Sequence, residues 1–211
     1  MKKVLWLDVD GVLLDYTRSF LAFAKDAMKD DSKHITYETL LDYDLTKLFP
    51  TQEDCWSKMR EFACSYQFAN LPVHTDAFYL HALKNAGYDL RIITQLTAPP
   101  HARKNRIANL TNVYGGIFSE IVFTNSGECK LNYLWGRWCG EAEEGDYAAD
   151  RYILVEDNPN LLIKSDDLES YGYVEVIGVE HPYNKDAISE ISRTKHASFV
   201  GVYHNLIDRV V

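Results

Sequence analysis

Val4-Leu5-Trp6-Leu7-Asp8-Val9-Asp10-Gly11-Val12-Leu13 is an apolar run that ends in acid. Four consecutive apolar residues read as a strand buried on both faces. Alternate side chains on a strand share a face, so Asp8 and Asp10 are expected to point the same way. Two carboxylates at a buried strand end repel each other, and the usual remedy is a cation. A hard ion such as Mg²⁺ suits carboxylate, carbonyl and water ligands. Gly11 lets the chain turn sharply and approach a ligand closely. A bare D-x-D also fits a solvated acidic turn, so its weight depends on the rest of the chain.

The rest of the chain repeats the pattern. Further strands are expected at 89–94, 119–123, 152–155 and 173–179. Between them fall helices. One spans 76–86, with Ala77, Leu80, Leu83 and Ala86 near helical spacing and Gly87 as its C-terminal cap. A second runs from Pro100 to about residue 112. A third starts near Cys129 or Lys130 and carries Leu131, Leu134, Trp135 and Trp138. A short fourth follows Pro159, with Leu161, Leu162 and Leu168. Strands alternating with helices imply an α/β fold, a Rossmann-like doubly wound parallel sheet with helices on both faces.

One segment interrupts that alternation. Residues 15–71 read as helical, with Phe20, Leu21, Ala24 and Met28 at helical spacing and Leu40, Leu41, Leu45 and Leu48 more loosely so. Pro50 and Pro72 punctuate it. The expected organisation is a core domain of 1–14 and 72–211 with a helical cap of 15–71 inserted after the first strand. Ligands of open α/β sheets bind at the C-terminal strand edge, so the insert would cover the site. Hinges are expected near Leu14-Asp15 and Leu71-Pro72.

Composition narrows the function. Of 211 residues, 46% are hydrophobic, enough for a proper core. The net charge of −9, from 31 acidic and 22 basic residues, comes without a basic block, which argues against a nucleic-acid polymer as partner. Asp8 and Asp10 interrupt the N-terminal apolar run too early for a signal peptide. No apolar stretch of membrane-spanning length occurs. Cys55, Cys64, Cys129 and Cys139 follow no zinc spacing, and read as reduced thiols of a cytoplasmic protein.

The polar residues that matter fall at strand ends. Asp8 and Asp10 end the first strand, Thr94 the second, and Glu156 and Asp157 the fourth. Lys130 opens the helix after the third. In a parallel sheet these positions lie along one edge and can converge. A nucleophilic carboxylate, a second carboxyl, a hydroxyl, an ammonium and an acid pair make up a phosphoryl-transfer set.

The sequence here resembles the haloacid dehalogenase-like (HAD) hydrolase superfamily. Its four short motifs occur in order as Asp8-Val9-Asp10-Gly11-Val12, Ile92-Ile93-Thr94, Lys130, and Val155-Glu156-Asp157-Asn158-Pro159. Their joint order carries the resemblance more than any one of them. It implies Asp8 as nucleophile and Asp10 as acid and base. Thr94, Gln95 and Lys130 would meet the substrate phosphate. Mg²⁺ would be held by Asp8, the Asp10 backbone carbonyl and Asp157, with Glu156 beside it directly or through water. Asp10 argues against a dehalogenase, which needs no such acid. Two departures stand out. Gln95 follows Thr94 where many relatives have Asn or Ser, and Glu156 replaces a common Asp.

Leu13-Leu14-Asp15, the insert and His181-Pro182-Tyr183-Asn184 resemble the 5′(3′)-deoxyribonucleotidase-like branch. That resemblance implies a small phosphorylated metabolite as partner, a nucleoside monophosphate first. A sugar phosphate, a phosphotransferase reaction or a non-catalytic binding role are the alternatives. Phe20, Phe23, Tyr37, Tyr43, Trp56 and Phe68 of the insert could stack on a base. Packing of the insert's own core is the expected role for most of them.

Overall fold

The structure, a computed structural model, describes residues 3–96, 99–125, 127–143, 152–167, 174–189, 195–196 and 198–209. Leu168 and Tyr173, expected in a helix and a strand, lie outside them. Six parallel strands form one sheet in the order β3-β2-β1-β4-β5-β6. They are β1 (Lys3–Leu7), β2 (Tyr88–Gln95), β3 (Glu120–Thr124), β4 (Tyr152–Glu156), β5 (Val174–Val179) and β6 (Lys195–His196). The two-residue β6 was not foreseen from the sequence; among the described residues it pairs with Gly178 and Val179.

The continuous apolar runs explain the two-sided burial. Leu5, Leu7, Leu90, Ile92, Ile153, Val155, Ile177 and Val179 pack into one core. Their strand neighbours Val4, Trp6, Ile93, Tyr152, Leu154, Val174 and Val176 pack into a second. The period-two alternation therefore divides β1, β2, β4 and β5 between two buried layers. The first layer is covered by α4 (Ala77–Asn85), α5 (Pro100–Tyr114) and α9 (Phe199–Ile207) through Leu80, Leu83, Leu110, Tyr114, Val202 and Leu206. The second is covered by α6 (Lys130–Glu143), α7 (Pro159–Asp167) and α8 (Lys185–Ser189) through Leu131, Leu134, Leu161, Leu162 and Ile188. Strand order reverses between β1 and β4, so the ligand crevice of this topology opens where those two strands end.

Residues 15–71 contain α1 (Tyr16–Ala24), α2 (Gln52–Ala63) and α3 (Tyr66–Ala69) with short 3₁₀ turns between them. Phe20, Phe49, Phe62 and Phe68 are fully buried and join the first core layer. The stretch from Leu40 to Leu48 departs from expectation. It forms only a 3₁₀ turn at Leu45–Leu48, and Leu41 is 80% exposed. Asp42 accepts from the Asp44 amide and Asp44 from the Thr46 amide, local bonds that compete with a regular helix. The two connections of this segment run side by side. Leu14 bridges Val73, and the Asp15 amide donates to the Pro72 carbonyl at 2.9 Å.

Candidate active site

β1 stops at Leu7, one residue before the first carboxylate. The Asp8 amide still donates to the Val155 carbonyl of β4 at 3.0 Å, which holds Asp8 beside Glu156. Lys130, at the first position of α6, is buried between them. Its Nζ lies 2.8 Å from Asp8 Oδ2 and 2.7 Å from Glu156 Oε2. The Val9 amide donates to Asp8 Oδ1 at 2.7 Å. Burial would lower the Lys130 pKa, but Asp8 and Glu156 outweigh it and hold the ammonium firmly charged. Glu156 is itself fully buried. Its Oε1 accepts from the Asp157 and Asn158 amides, so Glu156 ties the β4 loop to Lys130.

Asp157 is held from the other side. Tyr183 Oη donates to its Oδ2 at 2.5 Å, and Asn184 Nδ2 to its carbonyl at 2.6 Å. Gly11 passes directly against it. With φ of 78°, Gly11 occupies the left-handed region, and a Cβ there would lie 2.2 Å from Asp157 Oδ2. His181 Nε2 meets the Gly11 carbonyl at 2.7 Å, and His181 Nδ1 meets Tyr37 Oη at 2.6 Å. A carbonyl can only accept, so Nε2 carries the proton and Nδ1 accepts from the tyrosine. Burial, with His74 nearby, lowers the His181 pKa to about 4 and keeps this ring neutral.

Asp8, Glu156 and Asp157 each present an oxygen within 4.8 Å of the others, the one such acidic group among the described residues. Three carboxylates face one ammonium. Burial and the neighbouring Glu156 raise the Asp8 pKa to about 7; burial and Asp8 do the same to Asp157. Crowded hard oxygen donors with surplus negative charge fit a divalent ion of the Mg²⁺ type.

Thr94, almost fully buried at the end of β2, and Gln95 line the same cavity as Asp8, Lys130 and Asp157. The Gln95 side-chain amide already donates to the Asn125 carbonyl at 2.9 Å. Asp10 behaves unlike Asp8. β1 has ended before either residue, both line the cavity, and each has its own cation. Asp10 pairs with Arg106 of α5, Nη1 to Oδ1 at 2.7 Å and Nη2 to Oδ2 at 3.1 Å. Arg106 did not emerge from the sequence. The signal was present, since it lies on the helix face of Ala102, Asn109, Leu110 and Tyr114, all buried.

The cavity over these groups measures about 740 Å³. Its far wall comes from residues 15–71, through Tyr43, Leu45, Trp56, Met59 and Phe68. Of the six aromatics singled out in the sequence, Phe20 and Phe68 are fully buried and Phe23 packs on Phe62. Tyr37 is spent on His181. Tyr43 and Trp56 are 37% and 44% exposed and line the cavity. All four cysteines are free thiols. Among the described residues no helix is long and apolar enough to cross a membrane.

No family model matches this sequence, and no curated protein does. Solved structures match its fold. A haloacid dehalogenase-like family hydrolase from Streptococcus pneumoniae aligns with TM-score 0.63 at 11% identity, over 97% of this chain and 98% of that one. A HAD-superfamily hydrolase of subfamily IA from Geobacter sulfurreducens aligns with TM-score 0.55 at 14% identity, over 99% and 100%. A Bacillus subtilis protein described as a HAD-hydrolase, in a magnesium-bound crystal form, aligns with TM-score 0.59 at 16% identity, over 97% and 98%. At these identities the likeness is one of fold.

Proposed function

We propose that this chain is a Mg²⁺-dependent phosphomonoester hydrolase of the HAD-like type, working through an aspartyl-phosphate on Asp8. One observation carries the reading: Asp8, Lys130, Glu156 and Asp157 are buried together at the switch point of the sheet, on the wall of a cavity. A binding protein has no need of a carboxylate held beside an ammonium and a second acid pair. Asp8, Asp157 and the Asp10 carbonyl would hold the metal. When bound, Mg²⁺ would cancel the negative charge of the phosphate that Asp8 must approach.

The chain's own groups account for the chemistry. An Asp8 oxygen attacks phosphorus, and the bond from phosphorus to the leaving oxygen breaks. That oxygen takes its proton from Asp10. Water then attacks phosphorus, gives its proton to Asp10, and the Asp8–phosphorus bond breaks. Inorganic phosphate leaves, and both carboxyls return to their starting states. Lys130 offsets the charge on the transferring group, and Thr94 donates to its oxygens.

Residues 15–71 act as the cap, and they also bear on the substrate. The cavity wall from this segment is mixed, with Trp56 and Tyr43 presented to it beside Thr17, Asp44, Thr46 and Arg60. The polar side chains suit the hydroxyls of a sugar, and the aromatic ones suit a planar base. A planar, partly apolar leaving group fits, and a nucleoside monophosphate is the natural member of that class. The test is a panel of nucleotides, sugar phosphates and aryl phosphates with Mg²⁺. Nucleotides should lead, and Trp56→Ala should erase that lead while sparing a small aryl phosphate. No release of phosphate from any member would reject the function. A sugar phosphate in first place would reject the substrate.

A further inference from the structure

The Arg106–Asp10 pair is not explained by stability. Arg106 is fully buried, and its Nε and Nη1 have no hydrogen-bond partner among the described residues. Among those residues Asp10 is the one carboxylate it pairs with. Burying a guanidinium costs much of what its pairing returns, so apolar residues of similar volume would hold α5 at least as well. The other buried residues of α5, Ala102, Asn109, Leu110 and Tyr114, carry no second charge. A charge at this position therefore calls for a reason in what it touches.

What it touches is the acid–base carboxylate of the proposed reaction. Arg106 Nη2 donates to Asp10 Oδ2 at 3.1 Å, which tethers that oxygen, while Oδ1, 2.7 Å from Nη1 but without a hydrogen bond among the described residues, is the oxygen open to carry a proton. The guanidinium is fixed in turn. The Phe68 ring of α3 lies 4.4 Å from its centre, and the adjacent Asn109 amide donates to the Ala69 carbonyl at 3.0 Å. Asp10 is thus aimed by a core helix, and the segment 15–71 braces the group that aims it.

We propose that Arg106 is the positioning residue for Asp10, setting the direction from which that carboxyl meets the leaving oxygen. The inference rests on the phosphatase reading above. In the first half-reaction the proton passes from the Asp10 oxygen to the leaving oxygen as its bond to phosphorus breaks. A misaimed Asp10 penalises poor leaving groups, which need that proton, and spares good ones, which depart without it.

The test is kcat/KM across substituted phenyl phosphates with Mg²⁺, because that ratio covers the steps up to the aspartyl-phosphate. Arg106→Met should lower it roughly 30-fold for phenyl phosphate and less than about 3-fold for 4-nitrophenyl phosphate, within the usual range of general-acid catalysis. Arg106→Lys, which keeps charge but not the planar guanidinium that reaches Asp10 Oδ2 from against the Phe68 ring, should recover only part of the loss. An equal loss across the series, or a loss in KM alone, would overturn the proposal. Thermal denaturation of Arg106→Met, Asp10→Asn and the double variant reads the pair without any activity. The double variant should be at least as stable as Arg106→Met, since it leaves no buried charge alone. Additive losses would overturn the pair. Normal coupling in a chain inert towards every ester would instead reject the phosphatase reading.

Discussion

Replacing Asp8 by Asn should make the metal-free protein more stable, and only at high pH. Burial, Glu156 and the counteracting Lys130 together raise the Asp8 pKa from 3.8 to about 7. The folded chain therefore keeps a proton there that the unfolded chain gives up near 3.8. More protons bound in the folded state means that stability falls as pH rises from about 4 to about 7. Each pKa unit corresponds to about 1.4 kcal/mol, so ionised Asp8 costs the metal-free fold up to about 4 kcal/mol above pH 7. Asn is neutral and nearly isosteric. Its amide cannot reproduce every bond to Lys130 and the Val9 amide, so about half of that ceiling should be gained. For a chain of this size, 2 kcal/mol is roughly 4–8 °C in Tm. Calorimetry with a chelator, on both proteins near pH 5 and near pH 8, measures it. Asn should melt several degrees higher near pH 8 and within a degree or two near pH 5. A variant that is less stable near pH 8, or a gap that ignores pH, would refute the argument.

Three further outcomes follow from the same geometry. Protons and metal compete for Asp8 and Asp157, both raised to about 7, so the Tm increase on adding Mg²⁺ should grow from about pH 5 to about pH 8, and Asp157→Ala should abolish it. Gly11→Ala drives a Cβ into Asp157 Oδ2 and Tyr183 Oη from a left-handed backbone; it should cost at least about 2 kcal/mol in urea denaturation and remove the Mg²⁺ response. Tyr183→Phe removes the hydroxyl that holds Asp157; Mg²⁺ affinity by titration calorimetry should fall about 10-fold or more with little change in Tm.

Much of this architecture was legible in the sequence because it rests on short-range regularities. The apolar runs at Val4–Leu7 and 152–155 read as buried strands, and their acidic ends mark the crevice. The helix at Ala77–Asn85 carried both its apolar spacing and its glycine stop. What failed or was missed depends on long-range contact. Leu40 to Leu48 has leucines at loose helical spacing, but its aspartates bond to nearby amides instead. β6 is two residues long and exists only as a partner of β5. Arg106 stands 96 residues from Asp10, and nothing local links them. A lone charge on the buried stripe of a helix was the available clue. Tyr183 and His181 belonged to a quoted motif, yet their bonds to Asp157 and Gly11 required the fold. Tyr43 and Trp56 could not be told from core aromatics until the burial of Phe20 and Phe68 separated them.

The central claim is that Asp8 becomes phosphorylated during turnover. It is tested most directly by acid-quenching the Mg²⁺-loaded protein during hydrolysis of an aryl phosphate and mapping phosphate by peptide mass spectrometry. The account predicts acid-stable, hydroxylamine-labile phosphate on the peptide containing Asp8, and none on Asp8→Asn. Phosphate on another residue, or full turnover by Asp8→Asn, would contradict it.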